Sequence, residues 1–365
     1  PENPSAMSPA SKLPHPLRIG VLGCANIAKQ FVRDVASSPA VRVVAAASRN
    51  GETAAAFAKN YGIARSYGSY QALLADPDID IIYLPLPNSM HAHWAIESAK
   101  AGKHILCEKP LALGLAQTQS MFAAARANRV MLLEAYPYYF QPQTAAMLDV
   151  LQSGAIGDIQ SVQACFGFTL SNPVNNIRLN PQLGGGALLD AGSYPLSLIR
   201  LAMGCAPQWV QADASWAESG VDISTMATLH YADGRRAQLS CAMNAANYRR
   251  ATIVASQGTL ETEYLNHTSN GVEDNPYGYL PSQLRVRRGI ANTVAFEDIT
   301  SPCGSGFRFA AEAFARVILA RDFAAIERAA QASMENAATL EAIALSARQR
   351  EPVHVAQCAQ VPAPT

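Results

Sequence analysis

The chain has 365 residues, of which 49% are hydrophobic, a length and composition suited to two domains with a core in each. Its 28 Lys and Arg balance its 28 Asp and Glu, so the formal net charge is +0 and neither nucleic acid nor an anionic membrane is indicated as a partner. No apolar stretch approaches the roughly twenty residues that span a bilayer.

The chain begins with a Pro-rich arm, residues 1–17, "PENPSAMSPASKLPHPL". The arm lacks the apolar region of a signal peptide, and the seven cysteines form no C-x-x-C pair, so a cytoplasmic protein with reduced thiols is expected and periplasmic export is left open. Because proline restricts the backbone, the arm could lie extended along a surface at a small entropic cost, with a loose tail as the alternative.

Residues 18–140 show a regular alternation of strand and helix patterns. The strand patterns are "LRIGVLG", "VRVVAAAS", "IDIIYLPLP", "HILCEKP" and "VMLLEAY". The helix patterns between them are "NIAKQFVRDVASS", "GETAAAFAKNYG", "HAHWAIESAKAG" and "LAQTQSMFAAARANR". This alternation predicts an α/β domain with a Rossmann-type parallel sheet, which binds its ligand at the carboxyl ends of the strands.

Residues 141–365 differ in character, because strand-like runs now follow one another and are joined by turn signals such as "ADG" and "QG". This pattern predicts an α+β domain built on an open, mostly antiparallel sheet. Helical patterns return at "GFRFAAEAFARVILA" and "AQASMENAATLEAIALSARQR", and these C-terminal helices could pack back on the first domain.

The first strand-to-helix turn, "GCANIA", places Gly23, Ala25 and Ala28 at the positions of a G-x-G-x-x-G loop, with Asn26 and Ile27 between them. Small residues there allow a tight turn and a close approach of backbone to pyrophosphate. Alone, the motif fits a plain turn as well. The strand before it and the alternating series after it favour a dinucleotide site.

The second strand ends in "AASRN", with Ser48 and Arg49 where an NAD site usually carries an acidic residue. A hydroxyl and a guanidinium suit the 2'-phosphate of NADP, and no carboxylate is present to repel it. The sequence therefore predicts NADP(H) as the cofactor, with an exposed loop arginine as the alternative.

Two further motifs carry groups suited to proton transfer. The buried strand pattern "HILC" ends in Glu108, Lys109 and Pro110, and a lysine at that point is either exposed or close to a ligand. In "GGGALLDAGSYP", Asp190 and Tyr194 are four apart and share one helix face. A phenol, whose unperturbed pKa is about 10, exchanges protons near neutrality when a cation such as a lysine stabilises its anion.

Together, "GVLGCANIA", "LPNSMHAHWAIESAKAGKHILCEKPLA" and "GGGALLDAGSYPLSLIRLAMG" resemble the glucose-fructose oxidoreductase, inositol dehydrogenase and MocA family, from Arg18 to about Pro352. The resemblance implies hydride transfer between a nicotinamide and a hydroxyl or carbonyl carbon, and a homo-oligomer, a dimer or tetramer, formed through the C-terminal sheet. Many inositol dehydrogenases carry His at the position of Tyr194. The tyrosine indicates the branches of glucose-fructose oxidoreductase, dimeric dihydrodiol dehydrogenase and keto-sugar reductases.

The resemblance also implies roles for single residues. On the nicotinamide side it implies Pro87, Asn88, His91, Glu108 and Lys109. On the substrate side it implies Lys109, Tyr136, Gln141, Arg178, Asp190 and Tyr194. The alternatives are a helix-start residue for His91, interdomain core for Tyr136 and a surface position for Arg178. His230, His267 and His354 have no partners at metal-ligand spacing, so no metal site is predicted.

The sequence thus predicts an NADP(H)-dependent oxidoreductase acting on a sugar, polyol or keto-sugar, with Lys109, Tyr194 and Asp190 as catalytic residues. In glucose-fructose oxidoreductase an N-terminal arm covers the bound NADP. The resemblance therefore raises the hypothesis that residues 1–17 retain the cofactor while a second sugar reoxidises it. The alternatives are a trans-dihydrodiol dehydrogenase and a non-catalytic NADP-binding regulator. The sugar, the reacting carbon and the direction of the reaction are not determined by the sequence.

Overall fold

The computed structural model describes residues 15–269 and 281–358, which fall into two compact units. The first unit contains residues 15–136 and Phe307–Met334. The second contains residues 137–269, 281–306 and Glu335–Cys358. The arm expected to retain the cofactor, residues 1–17, lies outside the described residues except for 15–17. No helix in the described ranges is long and apolar enough to cross a bilayer.

The first unit is built on a six-stranded sheet in the order β3-β2-β1-β4-β5-β6, in which every pair of neighbours is parallel. Its strands are β1 (Leu17–Leu22), β2 (Val41–Ala47), β3 (Arg65–Tyr67), β4 (Ile81–Leu84), β5 (His104–Glu108) and β6 (Leu132–Ala135). The first five helices of this unit are α1 (Asn26–Val35), α2 (Gly51–Tyr61), α3 (Tyr70–Leu74), α4 (Asn88–Lys100) and α5 (Leu115–Ala127). The predicted Rossmann-type parallel sheet is confirmed.

The core of the first unit joins the sheet to the later segment of the chain. Phe31 of α1 stacks on Tyr83 of β4 with ring centroids 3.7 Å apart, and Phe307 meets Phe31 edge-on at 6.4 Å. Phe314 is fully buried in the same cluster. Burying a phenylalanine contributes on the order of 2–3 kcal/mol, so Phe307–Met334 is an integral part of this unit.

The second unit is built on a nine-stranded sheet in the order β15-β14-β12-β11-β7-β10-β9-β8-β17. Its strands, with the separate ladder of β13 and β16, are β7 (Ile159–Thr169), β8 (Trp209–Trp216), β9 (Asp222–His230), β10 (Arg236–Ala242), β11 (Asn244–Ala255), β12 (Gly258–Thr262), β13 (His267–Thr268), β14 (Leu284–Arg288), β15 (Glu297–Asp298), β16 (Gly304–Ser305) and β17 (Val353–His354). The β7–β10 pair is parallel, whereas the other neighbours in this sheet are antiparallel. The predicted open, mostly antiparallel sheet is confirmed.

The remaining helices are α6 (Pro142–Gln152), α7 (Ser193–Met203), α8 (Gly306–Ala320) and α9 (Phe323–Gln349). α7 packs on one face of the sheet, where its Tyr194 meets Phe166 of β7. We call the opposite face the open face. Met226 of β9 lies there with 69% of its surface exposed, alongside Arg250 of β11.

Candidate active site

The turn after β1 lies at the point where the strand order of the parallel sheet reverses, between β1 and β4. Gly23 has a φ of 123°, a conformation that residues with a side chain rarely adopt, and a Cβ on it would come within 2.7 Å of the Leu86 side chain, so glycine is favoured here. α1 begins at Asn26 after Ala25, which provides no side-chain cap. The first-turn N–H groups, including those of Asn26 and Ile27, therefore remain suited to bind an anion such as pyrophosphate.

The end of β2 presents a hydroxyl and a guanidinium beside the start of α2. The Ser48 hydroxyl accepts the Asn50 N–H at 3.3 Å, and Asn50 caps α2 by accepting from the N–H groups of Glu52 at 2.8 Å and Thr53 at 3.1 Å. Arg49 is exposed. A phosphate at this strand end would meet two donors and a helix N-terminus.

In the Glu108-Lys109 pair, Glu108 is buried and Lys109 is half-buried. Glu108 is 6% exposed and accepts the Tyr83 hydroxyl proton at 2.7 Å, which fixes it to β4. Lys109 follows at the carboxyl end of β5, half-buried. Glu108 thus anchors the strand end that carries the lysine.

His91 connects two backbone segments at the same sheet edge. It is fully buried, with Nδ1 3.0 Å from the Pro110 carbonyl oxygen and Nε2 2.8 Å from that of Leu86. Burial lowers the pKa of His91, and a neutral ring donates to one carbonyl at a time. This placement favours a structural role for His91, while Pro87 and Asn88 lie half-buried at the start of α4.

Glu134 of β6 is a buried carboxylate next to the lysine loop. It is 8% exposed and accepts the Leu111 N–H at 2.9 Å. Burial raises the pKa of Glu134 to about 7, although a hydrogen bond with Ser333 and the charge of Lys109 oppose the shift. Tyr136, one of the predicted substrate residues, lies two positions further along and is 6% exposed.

In the second unit, Tyr194 lies in a cluster of aromatic rings and one guanidinium. The Phe166 and Tyr194 rings are edge-to-face at 5.4 Å. The Arg249 guanidinium carbon lies 3.7 Å from the Phe166 ring centroid and 4.7 Å from that of Tyr194. Asn266 donates its side-chain N–H to the Tyr194 hydroxyl oxygen at 3.1 Å. Tyr194 therefore has a neutral donor on its hydroxyl oxygen and a cation against its ring.

Asp190 lies in a π-helical turn, Leu188–Gly192, that leads into α7. Its carboxylate accepts from Arg178 Nε at 2.6 Å. A Cβ on Gly185 would lie 2.5 Å from the Arg178 carbonyl oxygen, so the triple glycine allows this close approach. The predicted residues Arg178 and Asp190 are thus brought together as an ion pair.

Gln141 forms hydrogen bonds with neighbouring segments of the second unit. It is 2% exposed, donates to the carbonyls of Asn266 at 2.5 Å and Gly304 at 3.1 Å, and accepts from the Thr268 hydroxyl at 3.1 Å. This arrangement favours a structural role that holds the segment carrying Asn266. In the described ranges, no group of three or more His, Cys, Asp or Glu residues could hold a metal ion.

The predicted residues therefore fall into two groups. The carboxyl edge of the parallel sheet holds Gly23, Ala25, Asn26, Ile27, Ser48, Arg49, Pro87, Asn88, His91, Glu108, Lys109 and Tyr136. The second unit holds Gln141, Arg178, Asp190 and Tyr194. Sequence reasoning missed Glu134, Arg249 and Asn266. Only Arg249 carried a signal, because the adjacent arginines in "YRRATIV" must face opposite sides of a strand.

Comparison with known proteins identifies the family. Residues 17–136 match the GFO/IDH/MocA model of an oxidoreductase family with an NAD-binding Rossmann fold, and residues 144–261 match the model of its C-terminal domain. The chain belongs to the GFO/IDH/MocA family. The predicted family is confirmed, and the two matched GFO/IDH/MocA domains lie in the first and second unit respectively.

Three relatives of this GFO/IDH/MocA protein cover most of its length. The D-xylose 1-dehydrogenase (NADP(+)) 2 of Haloferax volcanii is 34% identical over 67% of the chain and 75% of the relative. The trans-1,2-dihydrobenzene-1,2-diol dehydrogenase of Xenopus tropicalis is 37% identical over 66% and 74%. The crystal structure of KijD10, a 3-ketoreductase from Actinomadura kijaniata, in complex with NADP and TDP-benzene, matches with a TM-score of 0.79 and 30% identity over 91% and 98%.

Proposed function

We propose that this GFO/IDH/MocA protein is an NADP(H)-dependent oxidoreductase that acts on the CH–OH or carbonyl group of a sugar, polyol or keto-sugar. Two relatives support the cofactor, because the xylose dehydrogenase is NADP(+)-dependent by name and KijD10 was crystallised with NADP. The xylose dehydrogenase also supports the substrate class. The observation that supports the chemistry most is the set of groups around Tyr194.

The residues of the first unit fit NADP. The Gly23 turn and the uncapped start of α1 would hold the pyrophosphate, and Ser48 and Arg49 would hold the 2'-phosphate. Bound NADP(H) supplies or accepts the hydride. Lys109, at the end of β5, would contribute positive charge on the nicotinamide side.

Tyr194 would exchange the proton of the substrate hydroxyl. Removing or returning that proton requires a group whose charged form is accessible near neutral pH. Asn266 donates a hydrogen bond to the Tyr194 oxygen, which orients the hydroxyl, and the Arg249 guanidinium lies over the same ring. Asp190, oriented by Arg178, would accept a hydrogen bond from a second substrate hydroxyl.

The experiment is a screen of the purified protein with aldoses, keto-sugars and dihydrodiols. Turnover is measured as the change in nicotinamide absorbance, with NADP(H) and with NAD(H). Tyr194→Phe should lower kcat by about 100-fold or more, the usual contribution of a general acid–base, while NADPH binding is unchanged. The control is Tyr231→Phe, because Tyr231 is also buried beneath an arginine and its hydroxyl has no hydrogen-bond partner among the described residues. Equal activity of the two variants would contradict the assignment of Tyr194.

A second candidate is a trans-dihydrodiol dehydrogenase. It is favoured by the aromatic surroundings of Tyr194, which include Tyr138 at 6.1 Å and Phe166 at 5.4 Å between ring centroids, and by the Xenopus relative. Preferential oxidation of dihydrodiols in the same screen would establish it. NADP binding without turnover of any compound would instead support a non-catalytic regulator.

The cofactor-retaining arm belongs to the same proposal. If residues 1–17 cover bound NADP, one sugar reduces the cofactor and a second sugar reoxidises it without added nicotinamide. The full chain and a variant beginning at Leu17 are compared for bound nicotinamide after extensive gel filtration. Equal loss of nicotinamide from both would show that the cofactor is exchangeable whether or not the arm is present.

A further inference from the structure

Arg249 of β11 is a cation that lies against two aromatic rings. It lies directly opposite Phe166 of β7 in the antiparallel ladder, and its guanidinium carbon is 3.7 Å from that ring's centroid. The Tyr194 ring lies 4.7 Å away. An arginine that lies over an aromatic ring can still donate hydrogen bonds from its N–H groups.

In the described part of the chain, Arg249 has no counter-ion of its own. Within residues 15–269 and 281–358, no hydrogen bond or ion pair engages its guanidinium, and burial lowers the pKa of Arg249. Asp190 is the carboxylate whose charge acts on Arg249, but it already accepts from Arg178 at 2.6 Å. The carboxylate that acts on Arg249 is thus already engaged by a second guanidinium. A desolvated cation without an anion is costly, so this cluster suits a ligand that brings a negative charge.

We propose that Arg249 binds an anionic group of the substrate, so that the natural substrate is a sugar carrying a phosphate, a diphosphate or a carboxylate. This inference rests on the proposed function and specifies its substrate class. The planar fork of N–H donors matches phosphate and carboxylate oxygens in pairs, and the apolar rings around it strengthen the interaction by excluding water. Tyr194 then lies beside the anchored end of the substrate.

The neighbouring Arg250 provides a matched control. It belongs to the same strand but points to the open face, where its side chain is 72% exposed and pairs with Glu263 at 3.0 Å. Arg249→Met and Arg250→Met remove the same charge from adjacent positions on opposite faces of β11. Arg249→Lys restores the charge without the planar fork, and serves as the second variant if Arg249→Met does not fold.

The experiment has a kinetic and a binding part. The kcat/KM values of the wild type and the variants are measured with neutral aldoses, glucose 6-phosphate, glucuronate and a dTDP-linked sugar. Binding of glucose 6-phosphate, glucuronate and dTDP is measured by calorimetry at saturating NADPH, and the three probes separate phosphate, carboxylate and diphosphate. We expect the wild type to prefer one anionic class, and Arg249→Met to lose about 10- to 100-fold for that class in both measurements. Arg249→Lys should recover part of the loss, the loss for neutral sugars should be much smaller than that for the anionic class, and Arg250→Met should match the wild type.

Three outcomes would overturn the inference. Equal losses for neutral and anionic sugars, with a shifted pH profile of kcat, would show that Arg249 acts on Tyr194 instead. A wild type that prefers neutral sugars and binds no anionic probe would refute the anionic class and leave the proposed function intact. Anion binding that Arg249→Met and Arg249→Lys leave unchanged would place the anion elsewhere. Turnover of no sugar at all would refute the proposed function, and the calorimetric comparison would still test Arg249.

Discussion

Glu134→Gln tests whether a buried carboxylate beside the lysine loop is protonated in the folded protein. Glu134 is 8% exposed and accepts the Leu111 N–H at 2.9 Å. Burial raises its pKa from 4.5 to about 7. Glutamine has the shape of the protonated acid and keeps an oxygen for the Leu111 N–H, so the substitution removes only the ionisation.

The sign and size of the effect follow from the two pKa values. Above pH 4.5 the unfolded chain releases the proton that the folded protein still holds, so the stability contributed by the protonated form is complete below pH 4.5 and is lost as the pH rises to about 7. At about 1.4 kcal/mol per pKa unit, the loss is about 3 kcal/mol. Glu134→Gln should therefore match the wild type near pH 4.5 and exceed its stability by up to about 3 kcal/mol near pH 8.

The assay is urea unfolding of both proteins without cofactor, at intervals from about pH 5 to about pH 8. Glu97→Gln is the control, because Glu97 is exposed on α4 and the hydrogen bond from Lys100 holds its pKa below the usual value, so it does not titrate in this range. Parallel stability curves for the wild type and Glu134→Gln would refute the reasoning, since they would mean that Glu134 ionises alike in the folded and unfolded states.

Lys109→Met should abolish turnover while NADPH still binds, as measured by nicotinamide absorbance and by nucleotide titration, and near-normal turnover would remove Lys109 from the reaction. Arg49→Ala should weaken NADPH binding by about 1.5–3 kcal/mol and NADH binding far less, because only NADPH carries the 2'-phosphate. Equal weakening of both cofactors, or the same effect from Arg42→Ala on the preceding strand β2, would show a structural role for Arg49. Met226→Glu places a charge on the open face and should convert an oligomer to monomers in gel filtration, whereas a wild type that already elutes as a monomer would contradict the expected interface.

The larger features of the fold could be predicted because apolar residues recur at a different spacing in helices than in strands. The alternating series predicts the parallel sheet, and consecutive strand patterns predict the antiparallel one. β3 and α3 were beyond this reasoning, because three and five residues are too short to show a period. The sequence raised the packing of the C-terminal helices on the first domain only as an option, because an apolar helix face indicates burial but not the surface that covers it, and Phe307–Met334 lies in the first unit.

For the candidate site, sequence motifs predicted the residues that belong to a short local pattern. They missed the residues that come together only because strands distant in the sequence pair with each other. Gly23 and Lys109 follow strands in fixed patterns. Arg249 depends on how β11, which begins at Asn244, pairs with β7, and the sequence does not determine that pairing. Glu134 lies inside an apolar strand pattern, and its link to the Leu111 N–H requires β5 and β6 to be neighbours. His91 begins a predicted helix pattern, and the sequence did not indicate that both of its ring nitrogens lie close to backbone carbonyl oxygens.

The ribosome delivers the two parts of the first unit at different times. Residues 15–136 emerge first, and the roughly 170 residues of Pro137–Gly306 follow before Phe307 and Phe314 are made. At about 5–20 residues per second, the apolar surface around Phe31 waits on the order of ten to thirty seconds for the rings that cover it. The nascent chain is therefore a natural client for chaperones, and a fragment that ends at Tyr136 should aggregate.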